Sequence, residues 1–201
     1  MNEPTIRSFI AIELPDVVVR GLVGTVSYLR ERLPGSDLKW VAPGNIHVTL
    51  KFLGEVRLSR IDDVRRVLES VCAATAPIRL SVDELGAFPS PRAPRIVWAG
   101  LEGDTERLVS LASRVDAALE PLGFPRESRP FTPHLTIARV RDDASGGTRN
   151  TLGTTLATTP IVGCLAFEAV AASLMKSQLT PNGAIYSRVA QFPLGLCPTR
   201  H

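Results

Sequence analysis

Apolar residues recur every three or four positions at Val18, Leu22, Val26, Leu29 and Leu33, which predicts one buried face of a helix. The same spacing predicts a second helix carrying Ile61, Val64, Val67, Leu68 and Val71, with Ser59 as N-cap and Asp62 three residues on. A third, over about 104–122, buries Leu108, Leu111, Val115 and Leu119 and stops at Gly123. Between the helices lie short apolar or alternating runs that read as strands, at 7–14, 38–41, 46–53, 78–88, 95–101 and 133–140. Residues 161–192 add two or three more, the last pair joined by a turn at Pro181-Asn182-Gly183. The proline-rich segment 89–94 reads as a loop, and the Gly/Thr-rich segment 144–159 as a mobile one. Strict alternation in 46–53 puts Ile46, Val48, Leu50 and Phe52 on one face and His47, Thr49 and Lys51 on the other. This mixture predicts an α+β fold with antiparallel sheets rather than a wound parallel sheet.

The pattern repeats. A shift of 87 residues lays Phe9-Ile10-Ala11-Ile12-Glu13-Leu14 on Ile96-Val97-Trp98-Ala99-Gly100-Leu101, and Arg20 on Arg107. It also lays Pro43 on Pro130 and His47-Val48-Thr49-Leu50 on His134-Leu135-Thr136-Ile137, without a gap. Two strand–helix–strand copies, roughly 7–54 and 94–141, predict one bilobal unit over 1–201. Its two sheets should face a central cleft, with helices outside.

Composition narrows the class. With 201 residues, 44% of them hydrophobic and 21% charged, the chain is long enough to bury a core without staples. Cys72, Cys164 and Cys197 are scattered and odd in number, which argues against a disulfide framework or zinc cluster and for a reducing cytoplasm. The start has no signal-peptide pattern, and no apolar run reaches the roughly 18 residues of a membrane span, so a soluble protein is expected. A net charge of +3 is too small for a surface that coats long nucleic acid. Only Lys39, Lys51 and Lys176 among the 23 cationic side chains are lysine. Arginine's planar fork suits phosphate, although exposed arginines also simply solvate a face.

The chemistry sits in the histidines. There are three, and His201 is terminal; both internal ones occur as His-x-Thr-x with apolar residues at each x. On a strand each His-Thr pair shares one face, while Val48, Leu50, Leu135 and Ile137 turn to the core. Two lobes would then bring two imidazoles and two hydroxyls to one cleft. Such a pair suits phosphodiester hydrolysis, because a pKa of about 6.5 lets a neutral ring accept a proton while a charged one donates. Threonine hydroxyls can donate to the oxygens on which charge develops. A metal site is the rival reading, but two histidines without Asp, Glu or Cys at ligand spacing fall short of three protein ligands.

The paired motif resembles the HxTx signature of the 2H phosphoesterases. Within these the chain is most similar to RNA 2′,3′-cyclic phosphodiesterases, also called 2′-5′ RNA ligases. Phe9-Ile10-Ala11-Ile12, Leu50-Lys51-Phe52-Leu53-Gly54-Glu55, Arg95-Ile96-Val97-Trp98-Ala99-Gly100 and Arg129-Pro130-Phe131-Thr132-Pro133-His134 add to the match. The resemblance implies cofactor-free, metal-independent opening of a terminal cyclic phosphate to a 2′-phosphomonoester, with 2′-5′ RNA ligation as a second activity. It implies His47 as proton donor, His134 as proton acceptor, and Thr49 and Thr136 as phosphate holders.

Lys51 reads either as a phosphate contact or as a solvated edge lysine, and Arg129 either as a phosphate clamp or as half of an ion pair. Arg95 is a weaker candidate for substrate. Phe9, Phe52, Phe131 and Trp98 are expected in the core rather than stacked on a base. The partners expected are RNA termini (tRNA fragments or oligonucleotides) or small cyclic nucleotides, bound by a monomer. An RNA-end binding module with vestigial catalysis, or a phosphodiesterase of a small cyclic nucleotide, is the competing reading.

Overall fold

The first apolar stripe folds as a helix, α1 (Asp16–Arg32), between strands β1 (Thr5–Glu13) and β2 (Leu38–Trp40). There follow β3 (His47–Arg57), α2 (Ile61–Ala73), β4 (Ile78–Phe88), β5 (Ile96–Gly103), α3 (Thr105–Leu119) and β6 (His134–Val140). The chain closes with α4 (Gly146–Thr158), β7 (Ala166–Ala169), β8 (Ala171–Thr180) and β9 (Gly183–Pro193). This computed structural model describes residues 3–195 except 34, 36, 164 and 182. Asn182 of the expected turn, Cys164, Cys197 and His201 therefore lie outside the described residues.

The strands form two antiparallel sheets, ordered β3-β1-β8-β9 and β2-β6-β5-β4-β7. The fold is α+β, as the mixture of periods predicts. One contiguous core joins both sheets and all four helices, with Ile10, Ile12, Leu22, Leu108, Leu135 and Ile137 fully buried. Gly123 takes a left-handed conformation, φ 85°, after the 3-10 turn that ends the α3 segment.

Two local expectations are overturned. Ser59 does not cap α2: a 3-10 turn, Leu58–Arg60, runs directly into the helix, and the Ser59 amide donates to Glu3 instead. Most of 144–159 is the helix α4 and not a loop. Ser145 caps it by accepting from the Thr148 amide, and Leu152 and Leu156, one turn apart, are buried. Packing on that face overrides the poor helix propensity of Gly and Thr.

The pairing register carries the 87-residue spacing into three dimensions. In the first sheet Ala11 lies opposite Thr49, Ile12 opposite Val48 and Glu13 opposite His47. In the second, Trp98 lies opposite Thr136, Ala99 opposite Leu135 and Gly100 opposite His134. Adding 87 to each number of the first set yields the second. The register also slips at equivalent points, between Ile10 and Ala11 and between Val97 and Trp98, leaving Leu50 and Ile137 as the additional residues of two matching bulges.

Candidate active site

Edge strand β3 of the first sheet touches β6 of the second, and each begins with its histidine. His47 and Thr49 are half-buried while Val48 and Leu50 are buried; His134, Thr136, Leu135 and Ile137 repeat that alternation. The Nδ1 of His47 lies 2.8 Å from the carbonyl oxygen of Asn45, and that of His134 lies 2.7 Å from the carbonyl of Thr132. These two carbonyls are again 87 residues apart. Each therefore holds the proton of its ring on Nδ1 and leaves Nε2 for chemistry.

Aromatic rings pack against both imidazoles. Phe9 stacks on His47 at 4.8 Å, and Tyr186 meets it edge-on at 5.4 Å. Phe88 meets His134 edge-on at 5.1 Å. Burial pushes the His47 pKa below the ordinary histidine value; the Asn45 carbonyl and the Glu13 carboxylate oppose that shift, and the charge of His134 adds to it. Glu13 is held ionised chiefly by its hydrogen bonds from Arg188, at 2.8 Å to each oxygen, and by Ser173.

Two cavities flank the histidines. One, of about 590 Å³, includes Phe9, Asn45 and Tyr186 beside His47, and extends to Arg7, Lys39 and Arg139. The other, of about 260 Å³, includes His134 and has the acidic side chains Asp83 and Glu84 in its wall. Gly86 is required there, since a Cβ would come within 2.2 Å of the Trp98 ring that lines this cavity. Among the described residues no group of three or more His, Cys, Asp or Glu side chains is placed to hold a metal ion.

Residues 22–163, which hold both His-x-Thr strands, match the 2′-5′ RNA ligase superfamily. The chain belongs to that superfamily. A relative named RNA 2′,3′-cyclic phosphodiesterase, from Methanothermobacter thermautotrophicus, is 32% identical over 191 residues, covering 94% of this chain and 99% of the relative. Another of the same name, from Aquifex aeolicus, is 33% identical, covering 89% and 98%. A crystal structure of a Thermus thermophilus protein superposes with a TM-score of 0.77 at 28% identity, covering 94% and 98%. E. coli LigT complexed with 3′-AMP shares the fold, with a TM-score of 0.74 at 24% identity, covering 95% and 99%.

Not every residue picked from the sequence reaches the cleft of this superfamily member. Lys51 does not: the bulge at Leu50 turns it to the core side, where it is 2% exposed. Its Nζ donates to the Asp116 carboxylate on α3 and, at 2.7 Å, to the carbonyl of Pro125. The same bulge turns Phe52 out, against expectation, leaving it 60% exposed in the larger cavity. Phe9 is buried, but on the His47 side rather than in the main core. Arg129 and Arg95 are exposed and line neither cavity.

Sequence reasoning misses Glu13, Tyr186 and Arg188. The first was within reach, because the repeat places Glu13 against His47 where the second copy has Gly100. Tyr186 and Arg188 come from β9, whose pairing has no counterpart in the repeat.

Proposed function

We propose that this protein hydrolyses the terminal 2′,3′-cyclic phosphate of RNA to a 2′-phosphomonoester, by a two-histidine mechanism that needs no metal. The carrying observation is the register-matched pair of His-Thr strands, each imidazole fixed by a carbonyl two residues upstream. The names of the relatives support the same reaction. His134 Nε2 takes a proton from water as its oxygen attacks phosphorus, and His47 Nε2 protonates O3′ as the P–O3′ bond breaks. Thr49 and Thr136 donate to the non-bridging oxygens. With a 5′-hydroxyl attacking in place of water, the same groups perform 2′-5′ ligation: His134 Nε2 takes the proton of that hydroxyl and His47 Nε2 protonates O3′ as the P–O3′ bond breaks.

The assignment of donor and acceptor rests on an asymmetry. Glu13 favours the charged form of His47, and its repeat equivalent beside His134 is Gly100. A phosphodiester anion bound between the rings reinforces that preference and offsets the effect of burial. An acid must be protonated, so activity is lost as pH rises through the His47 pKa. Glu13→Gln removes a carboxylate that raises this pKa. The alkaline limb of kcat/KM should therefore move to lower pH; an unmoved limb in the variant speaks against His47 as the donor.

The reaction itself is tested by incubating cyclic-ended RNA and free 2′,3′-cyclic nucleotides with the protein in excess EDTA. Release of the 2′-phosphate isomer is expected. Tight binding without turnover would indicate an RNA-end binding module, and turnover of the free nucleotide alone a small-molecule enzyme.

The protein is proposed to work as a monomer, since one chain supplies both histidines, and in the cytoplasm. Cys72 is buried as a free thiol, its pKa pushed up to about 11 by burial, which suits a reducing compartment. No helix among the described residues is long and apolar enough to cross a membrane.

A further inference from the structure

The larger cavity has a chemistry of its own. Three cationic side chains from three strands converge on it: Arg7 from β1, Lys39 from β2 and Arg139 from β6. All three are exposed, and among the described residues none forms a salt bridge. Glu55, opposite Arg7 in the sheet, accepts instead from the Thr5 hydroxyl. The rings of Phe52 and Tyr186 line the same cavity, with the buried ring of Phe9 behind them, 6.0 Å from Phe52 and 4.9 Å from Tyr186. Phe52 is an apolar ring pushed into solvent by a bulge, with no core to fill.

Cations interleaved with stacking rings are what single-stranded nucleic acid requires: the cations follow the backbone, and the rings accept any base. The cavity on the other side of the histidine pair carries Asp83 and Glu84 and offers no cation. A chain of phosphates is attracted to one flank and repelled from the other.

We infer that the groove between Arg7, Lys39 and Phe52 binds the nucleotides immediately 5′ of the terminal cyclic phosphate, so that the substrate is an oligonucleotide end rather than a free cyclic nucleotide. This rests on the proposed reaction. It adds a direction: the RNA enters over the His47 side, and the acidic flank favours water over the 5′-hydroxyl of a second RNA strand as the nucleophile.

The test compares kcat/KM for a trinucleotide ending in a 2′,3′-cyclic phosphate with that for the free cyclic mononucleotide, at low and moderate salt. The intact protein should favour the trinucleotide about tenfold or more. Phe52→Ala should cut that ratio about tenfold, by loss of one stacking platform. Lys39→Ala should cut it and also flatten its dependence on salt. Equal rates for the two substrates in the intact protein, or an unchanged ratio in both variants, would overturn the inference.

If neither substrate turns over, the proposed reaction has failed, and the groove is judged separately. Anisotropy titration with a labelled 3′-phosphorylated trinucleotide then decides: weaker binding by both variants upholds the groove, and equal binding removes it.

Discussion

Replacing either His47 or His134 by alanine should slow opening of a terminal cyclic phosphate by about 10²–10⁴-fold, the usual size of one general acid or base contribution. On the proposed mechanism the loss should fall on kcat more than on KM, because the phosphate contacts assigned to Thr49 and Thr136 and the proposed groove are untouched by the substitution. The double variant should be far less than multiplicatively worse, since an acid and a base acting in one step fail together. Asparagine at either position is a sharper probe: it can keep a hydrogen bond but cannot carry a proton at neutral pH. Single-turnover rates on a cyclic-ended oligonucleotide make the measurement, and full activity in both alanine variants would dismiss the acid–base pair.

The second large effect concerns stability. The ammonium of Lys51 is nearly inaccessible, and the Asp116 side chain is only 13% exposed. Burial pushes the Asp116 pKa up, but the Lys51 contact, the Glu127 amide and Arg126 together outweigh it and hold the carboxylate below its usual range. Lys51→Met removes the nearest counter-charge of that carboxylate and leaves it only the Glu127 amide and the half-exposed Arg126 guanidinium, 3.4 Å away. Breaking one side of a buried pair costs about 3–5 kcal/mol, so the Tm should drop by roughly 10 °C for a chain of this size. Changing both residues, Lys51→Met with Asp116→Leu, should recover most of the loss, because a packed apolar pair needs no counter-charge. The KM of Lys51→Met, measured well below its melting point, should match that of the intact protein. A raised KM with unchanged Tm would return Lys51 to the phosphate.

Lys51 also shows where sequence patterning stops being informative. Period-2 alternation correctly separates His47 and Thr49 from Val48 and Leu50, because those four residues lie in regular pairing. One residue later the bulge resets the phase, and Lys51 and Phe52 exchange faces. The signal is present in the other copy: Ile137-Ala138, two consecutive apolar residues, breaks the alternation where Leu50-Lys51 preserves it. The segment of α4 misleads through composition, which outweighs Ser145 and the Leu152/Leu156 spacing. The placement of the histidines is legible because the repeat fixes their register, whereas the convergence of Arg7, Lys39 and Phe52 on one cavity depends on strands meeting across two sheets.

The two copies are interleaved rather than strung like beads. The first sheet gains β8 and β9 from the end of the chain, while α3 of the second copy supplies the counter-ion for β3 of the first. Severed near residue 90, the N-terminal piece would expose the edge of β1 that pairs with β8 and bare to water the face of β3 that α3 covers. Neither piece is a heritable unit that recombination can trade, so the halves are bound to diverge side by side within one gene.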